Sequence, residues 1–93
     1  MRSSQSAGVV MGSFSVFTTA NPPVPVTGLG QGDFTILTSK DLVDTSGSTI
    51  PQISEIGNGR YGYTVTLAAG YWHLAFRHAT YNPRGWEDEY DVE

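Results

Sequence analysis

The sequence predicts an all-β domain, an antiparallel β-sandwich or small barrel, and three observations predict it. Large apolar residues recur at every second position in short runs such as RYGYTVTL (60–67) and YWHLAFRH (71–78), the period of a half-buried strand. Turn chemistry punctuates these runs at Gly57-Asn58-Gly59, Ala68-Ala69-Gly70 and Asn82-Pro83-Arg84-Gly85, and strands broken at such intervals indicate a sandwich or barrel. No segment carries a 3.6-residue apolar period, so no helix is expected. A chain of 93 residues suits one core rather than two.

Residues 1–12 are small and polar and read as a flexible N-terminal arm, with 13–93 as the single domain. SFSVFTTA (13–20) is the first expected strand, with Phe14 and Val16 on one face. NPPVPVTGLGQG (21–32) holds three prolines and three glycines, so it crosses between strands rather than sitting inside a sheet. DFTILTSK (33–40) is the next strand, with Phe34, Ile36 and Thr38 on one face, and DLVDTSGST (41–49) is a polar loop. IPQISEI (50–56) is a strand that Pro51 places at an edge or at a strand start. Asn58-Gly59 between alternating runs marks a hairpin, because both residues tolerate positive φ. Beyond it the inward residues are Tyr61, Tyr63, Val65 and Leu67, then Trp72, Leu74 and Phe76. Asn82-Pro83-Arg84-Gly85 reads as a β-turn with proline at its second position. A last strand follows, with Trp86, Tyr90 and Val92 inward and Glu87, Glu89 and Asp91 outward.

Composition closes off several function classes. The net charge is −4, and the five basic residues are scattered singly, which disfavours nucleic acid and a polybasic membrane contact. There is no cysteine, hence neither a disulfide framework nor a thiolate metal site. No run nears the roughly 20 apolar residues of a membrane span or the ~7–15 of a secretory signal. The chain is therefore expected to stay where it is made, in a cytoplasm, until it assembles.

Catalytic and metal sites are not expected, nor any cofactor. His73 and His78 lie five apart on one expected strand and face opposite sides. GLGQGDF (28–34) has the glycines of a phosphate loop without a following helix to supply amides. Asp41, Asp44 and Ser46 lack the spacing of a calcium loop. The terminal acids Glu87, Glu89 and Asp91 form a solvated stripe suited to guarding an edge strand. Tyr61, Tyr63, Trp72, Phe76 and Trp86 have inward parity and are core rather than a sugar platform. Tyr71, Tyr81 and Arg84 are exposed by parity or loop position, and Tyr and Arg are enriched at protein interfaces. The candidate interface is thus Tyr71, Tyr81, Arg84 and Trp86. Gly62 has outward parity, and its missing side chain leaves room for another chain.

Three segments carry a resemblance: PVTGLGQGDFTILTSKD (25–41), EIGNGRYGYTVTLAAGYWHLAFRH (55–78) and YNPRGWEDEYDV (81–92), together about half of the chain. In order and spacing they resemble a small immunoglobulin-like β-sandwich of tailed-bacteriophage structural and accessory proteins, and the second is also similar to filamin-type repeats. One departure is LAAGYW (67–72), where related hairpins often carry a proline. The resemblance implies an antiparallel immunoglobulin-like β-sandwich of about seven short strands, with no catalytic residues to carry over. It implies a virion structural protein, synthesised in the host cytoplasm and docked in many copies, with capsid decoration favoured over neck, tail or baseplate. Its partners would be major capsid, neck or tail subunits and copies of itself. The alternative is an adhesion or glycan-binding module that stacks Tyr71, Tyr81 and Trp86 on host-surface sugar beside Arg84.

Overall fold

The computed structural model describes residues 2–93 and is an all-β sandwich. Its strands are β1 (Arg2–Gln5), β2 (Gly8–Ser15), β3 (Thr35–Lys40), β4 (Val43–Asp44), β5 (Gln52–Gly57), β6 (Arg60–Leu67), β7 (Gly70–His78) and β8 (Asn82–Val92). A five-stranded sheet has the order β1-β8-β7-β3-β4, and a three-stranded sheet has the order β2-β6-β5. All neighbours are antiparallel except β1, which runs parallel to β8.

The alternation seen in the sequence builds the core. Tyr61, Tyr63, Val65 and Leu67 from β6 are buried, as are Trp72, Leu74 and Phe76 from β7. Phe14 of β2 knits the two sheets, its ring 5.3 Å from Phe76 and 4.7 Å from Trp86. Such aromatic pairs add about 0.5–1.5 kcal/mol each beyond the area they bury. Tyr61 also holds the crossing segment 21–32 down, since its hydroxyl donates to Val26 O at 2.8 Å and accepts from Leu29 N at 3.2 Å. That segment includes a cis Asn21–Pro22 peptide.

The β5–β6 turn uses glycine for space as well as conformation. Gly57, Asn58 and Gly59 all have positive φ, and a Cβ on Gly59 would lie 2.8 Å from Val16 O. After β6 the chain crosses between sheets through Ala68-Ala69, where Trp72 Nε1 donates to Ala68 O at 2.8 Å.

Five expectations need correction. The arm expected over residues 1–12 lies within the sheets from residue 2 onward: β1 pairs with β8, and Gly8–Gly12 pair with β6. Backbone pairing holds it, so small side chains are no obstacle. Met1 is outside the described residues. The acidic stripe of β8 does not guard an edge, because β1 lies outside it; Glu87 instead meets His73 at 2.7 Å and Glu89 accepts the Tyr71 hydroxyl. Segment 41–49 is a hairpin tip plus β4 rather than a plain loop, with Asp41 and Leu42 both at positive φ. Asn82–Gly85 is an irregularity inside β8, not the turn before it. The turn sits one step earlier, where His78 Nδ1 accepts from the N–H groups of Thr80 and Tyr81 at 3.1 and 3.3 Å. Finally, Ile56 fills the space over Gly62, 3.2 Å from where a Cβ would stand.

Candidate docking surface

The four residues selected from the sequence do not form one surface. Tyr71 lies near the start of β7, opposite Asp91. Tyr81, Arg84 and Trp86 cluster near the other end, around the β7–β8 turn. Seven strand steps separate Tyr71 from His78, about 23 Å at ~3.3 Å per residue. Trp86 and Tyr81 are half-buried against the core, and the Tyr81 ring lies 4.7 Å from His78. Arg84 is the exposed member of the set. Two tyrosines engaged in this way do not make a flat stacking platform for sugar.

The strand edges show a different pattern. Beyond β5, Gln31 from a 3-10 turn (Gln31–Asp33) plugs the edge: its Oε1 accepts Ile53 N at 2.6 Å and its Nε2 donates to Pro51 O at 2.7 Å. Glu55 adds a clasp by accepting Gly28 N at 2.9 Å. Beyond the two residues of β4, the loop that follows seals β3. Thr45 N donates to Thr38 O at 2.9 Å, and Ser46 Oγ accepts Thr38 N at 2.9 Å. The buried Thr38 hydroxyl bonds Thr45 Oγ1 at 2.8 Å and donates to Thr49 O at 3.0 Å. β1 is an outer strand of four residues.

β2 has no comparable cover. Among the described residues it pairs only with β6, leaving eight residues with an unpaired flank. Val16 N, just beyond its end, donates toward β6 at Gly59 O, 2.8 Å away. By the alternation of an antiparallel ladder, Val9, Met11, Ser13 and Ser15 therefore turn their N–H and C=O groups outward. The side chains of the same residues lie on the outer face of the small sheet. Val9 is 69% exposed, Met11 73% and Ile56, across β6, 64%. Between Met11 and Ile56 lies a shallow groove of about 290 Å³, floored by Gly62, Tyr63 and Thr64. None of the residues Gly8–Ser15 is charged; Arg60 reaches the far end, donating to Ser13 Oγ at 3.0 Å.

Beneath that face, β2 is anchored by a polar cluster inside the core. The Tyr63 ring crosses over Gly12, and a Cβ at that position would land inside the phenol. The Tyr63 hydroxyl donates to the Asp88 carboxylate. With its single proton committed there, it accepts from Tyr90, whose oxygen is 2.6 Å away. Burial first, then the bond to Asp88, hold the Tyr63 phenol above its ordinary range; burial likewise raises Tyr90. Both stay neutral and hydrogen-bonded, and the pair fixes β6 to β8 across the sandwich.

A second apolar patch surrounds the β3–β4 tip, where Leu42 is 84% exposed beside Val43 and Leu37. Among the described residues no group of three or more His, Asp or Glu is placed to hold a metal ion. These features define a β-sandwich module whose most distinctive surface is apolar and uncharged. Against protein-family models, curated proteins and solved structures, the chain matches none.

Proposed function

We propose that this chain is a non-enzymatic structural component of a tailed-phage particle, docking in many copies on other virion proteins, with the head surface favoured over neck, tail or baseplate. The observation that carries the reading is the outer face of the small sheet, where Val9, Met11 and Ile56 stand exposed beside an unpaired strand edge. Apolar exposure of that kind, on a domain this small, marks a contact surface. The strand order supports the immunoglobulin-like part of the proposal. β8, β7 and β3 lie together in one sheet and β2, β6 and β5 in the other, which parallels the division of strands in that fold. The Trp72 indole bonding back to Ala68 O stands where such folds often place a tyrosine corner. The resemblance of residues 25–41, 55–78 and 81–92 to phage accessory domains supplies the location.

The mechanism is mechanical. A shallow apolar face gives each copy a modest affinity, and a shell of identical sites multiplies it through avidity. Strand addition at the open edge contributes main-chain bonds that need no particular side chains. Mass spectrometry of purified particles tests the proposal: the chain should be present at a fixed copy number, and its absence from the particle would refute it.

A further inference from the structure

The unpaired flank of β2 differs from the other strand edges in both chemistry and cover. β5 is plugged by Gln31 and clasped by Glu55, β3 is sealed beyond β4 by Thr45 and Ser46, and β1 has only four residues. Natural sheets blunt their edges with charge, proline, short strands or a covering loop. Among the described residues β2 has none of these over Gly8–Ser15. An edge left bare over that length is a template for another strand.

We infer that β2 pairs antiparallel with β2 of a second copy, about a twofold axis near Met11, joining two three-stranded sheets into one six-stranded sheet. The inference deepens the docking proposal and rests on the same face, but names the partner as the chain itself. Geometry favours this occupant, because an antiparallel strand pair is self-complementary about a twofold. The net charge of −4 sets two copies against each other elsewhere, but no residue of Gly8–Ser15 is charged, so the pairing itself brings no like charges together. The outward N–H and C=O groups of Val9, Met11 and Ser13 would meet the same three residues of the other copy, Val9 opposite Ser13 and Met11 opposite itself. Val9 and Met11 of both copies would then lie on one continuous outer face, converting four scattered exposures into an apolar row. Arg60, at the Ser13 end, stays clear of the Met11 centre.

Sedimentation velocity of the purified chain over a wide concentration series tests this directly. The expected result is a monomer–dimer equilibrium that Met11→Lys shifts to monomer, because the pairing would set two like charges side by side. The thermal midpoint of dilute Met11→Lys protein should match the wild type, since the residue faces solvent. Val9→Lys should act in the same direction and serves if the first variant misfolds. Hydrogen exchange adds a site-specific reading: the amides of Val9, Met11 and Ser13 should gain protection as concentration rises. A chain that stays monomeric throughout the series, or a dimer indifferent to both lysines, overturns the pairing. A monomer still found on particles would sink the pairing alone, and a dimer absent from particles would sink the virion proposal alone.

Discussion

Two strands flank β6, and the chain finishes them in opposite ways. β5 receives the Gln31 side chain along its outer flank, with Oε1 on Ile53 N and Nε2 on Pro51 O. Among the described residues nothing bonds β2 there, and its outward side chains are Val9, Met11, Ser13 and Ser15. The same sheet, with the same need to satisfy backbone groups, is therefore closed on one flank and open on the other. Toward the interior the contrast disappears, because Phe14 packs against Trp86 and Gly12 admits the Tyr63 ring. β2 is thus held firmly by its inner face and presented by its outer flank, the arrangement a docking strand needs.

The largest expected effect strikes that inner hold. Gly12→Ala would place a methyl group inside the Tyr63 phenol and force the ring off Asp88 and Tyr90. Overpacking plus a broken buried network should cost about 3 kcal/mol, read as a lower urea midpoint. An unchanged midpoint would mean that Tyr63 has another place to go and that β2 is anchored less firmly than its packing indicates.

Next comes the closed flank. Gln31→Ala strips the partners from Ile53 N and Pro51 O and should lose about 2 kcal/mol. It should also make β5 resemble β2, so the variant is expected to self-associate more strongly than the parent in sedimentation. Lost stability without added association would show that the plug matters for folding and that edge exposure alone does not recruit a partner.

The β3–β4 tip offers a smaller effect of opposite sign. Leu42 sits at φ 69° with its side chain almost wholly in solvent, in a two-residue turn that favours Asn-Gly. A left-handed leucine costs roughly 1–2 kcal/mol, partly offset by the extra unfolded-state freedom of glycine. Leu42→Gly should therefore raise stability by about 0.5–1 kcal/mol in thermal unfolding. If the variant is more stable but docks less well on particles, the strained leucine is kept for contact and this edge works alongside β2.

How far the sequence reveals these edges depends on what kind of bond makes them. β6 is legible because its burial alternates residue by residue from Tyr61 to Leu67, and β7 because Trp72, Leu74 and Phe76 keep the same period, although Ala75 between them is buried as well. β1 is not, because a strand held by backbone bonds to β8 has no side-chain signature. β2 had a signal: Val10, Phe14 and Val16 share one parity and are all buried, so the alternation extends back past Gly12. Two glycines and two serines in β2 hide it. Asp88 shares the parity of Trp86 and Tyr90, yet an inward carboxylate makes sense only once Tyr63 is known to reach it from the other sheet. The docking surface is illegible for the same reason as β2, and the Tyr71 and Tyr81 candidates do not converge because the length of β7 separates them, Tyr71 near its start and Tyr81 in the turn after its end.

The weakest prediction concerns acid, at the edge sealed by the 41–49 segment. Asp44 Oδ1 accepts Ser46 Oγ at 2.7 Å and Ser46 N at 3.0 Å, and Ser46 Oγ in turn accepts Thr38 N. The hydroxyl bond, then the amide bond, lower the Asp44 pKa below its ordinary 3.8. A folded-state pKa depressed in this way contributes stability that is complete above the unfolded value and is lost as pH falls through the folded one. The seal on β3 should therefore be intact at neutral pH and loosen only below about pH 4. Because Asp44 is fully exposed, water and salt screen most of the effect, and the proper readout is local. The Ser46 amide resonance should titrate with a midpoint below 3.8, and Asp44→Asn should abolish that titration. An ordinary midpoint would mean that Ser46 seals the edge without help from the carboxylate, leaving the loop backbone as the source of closure.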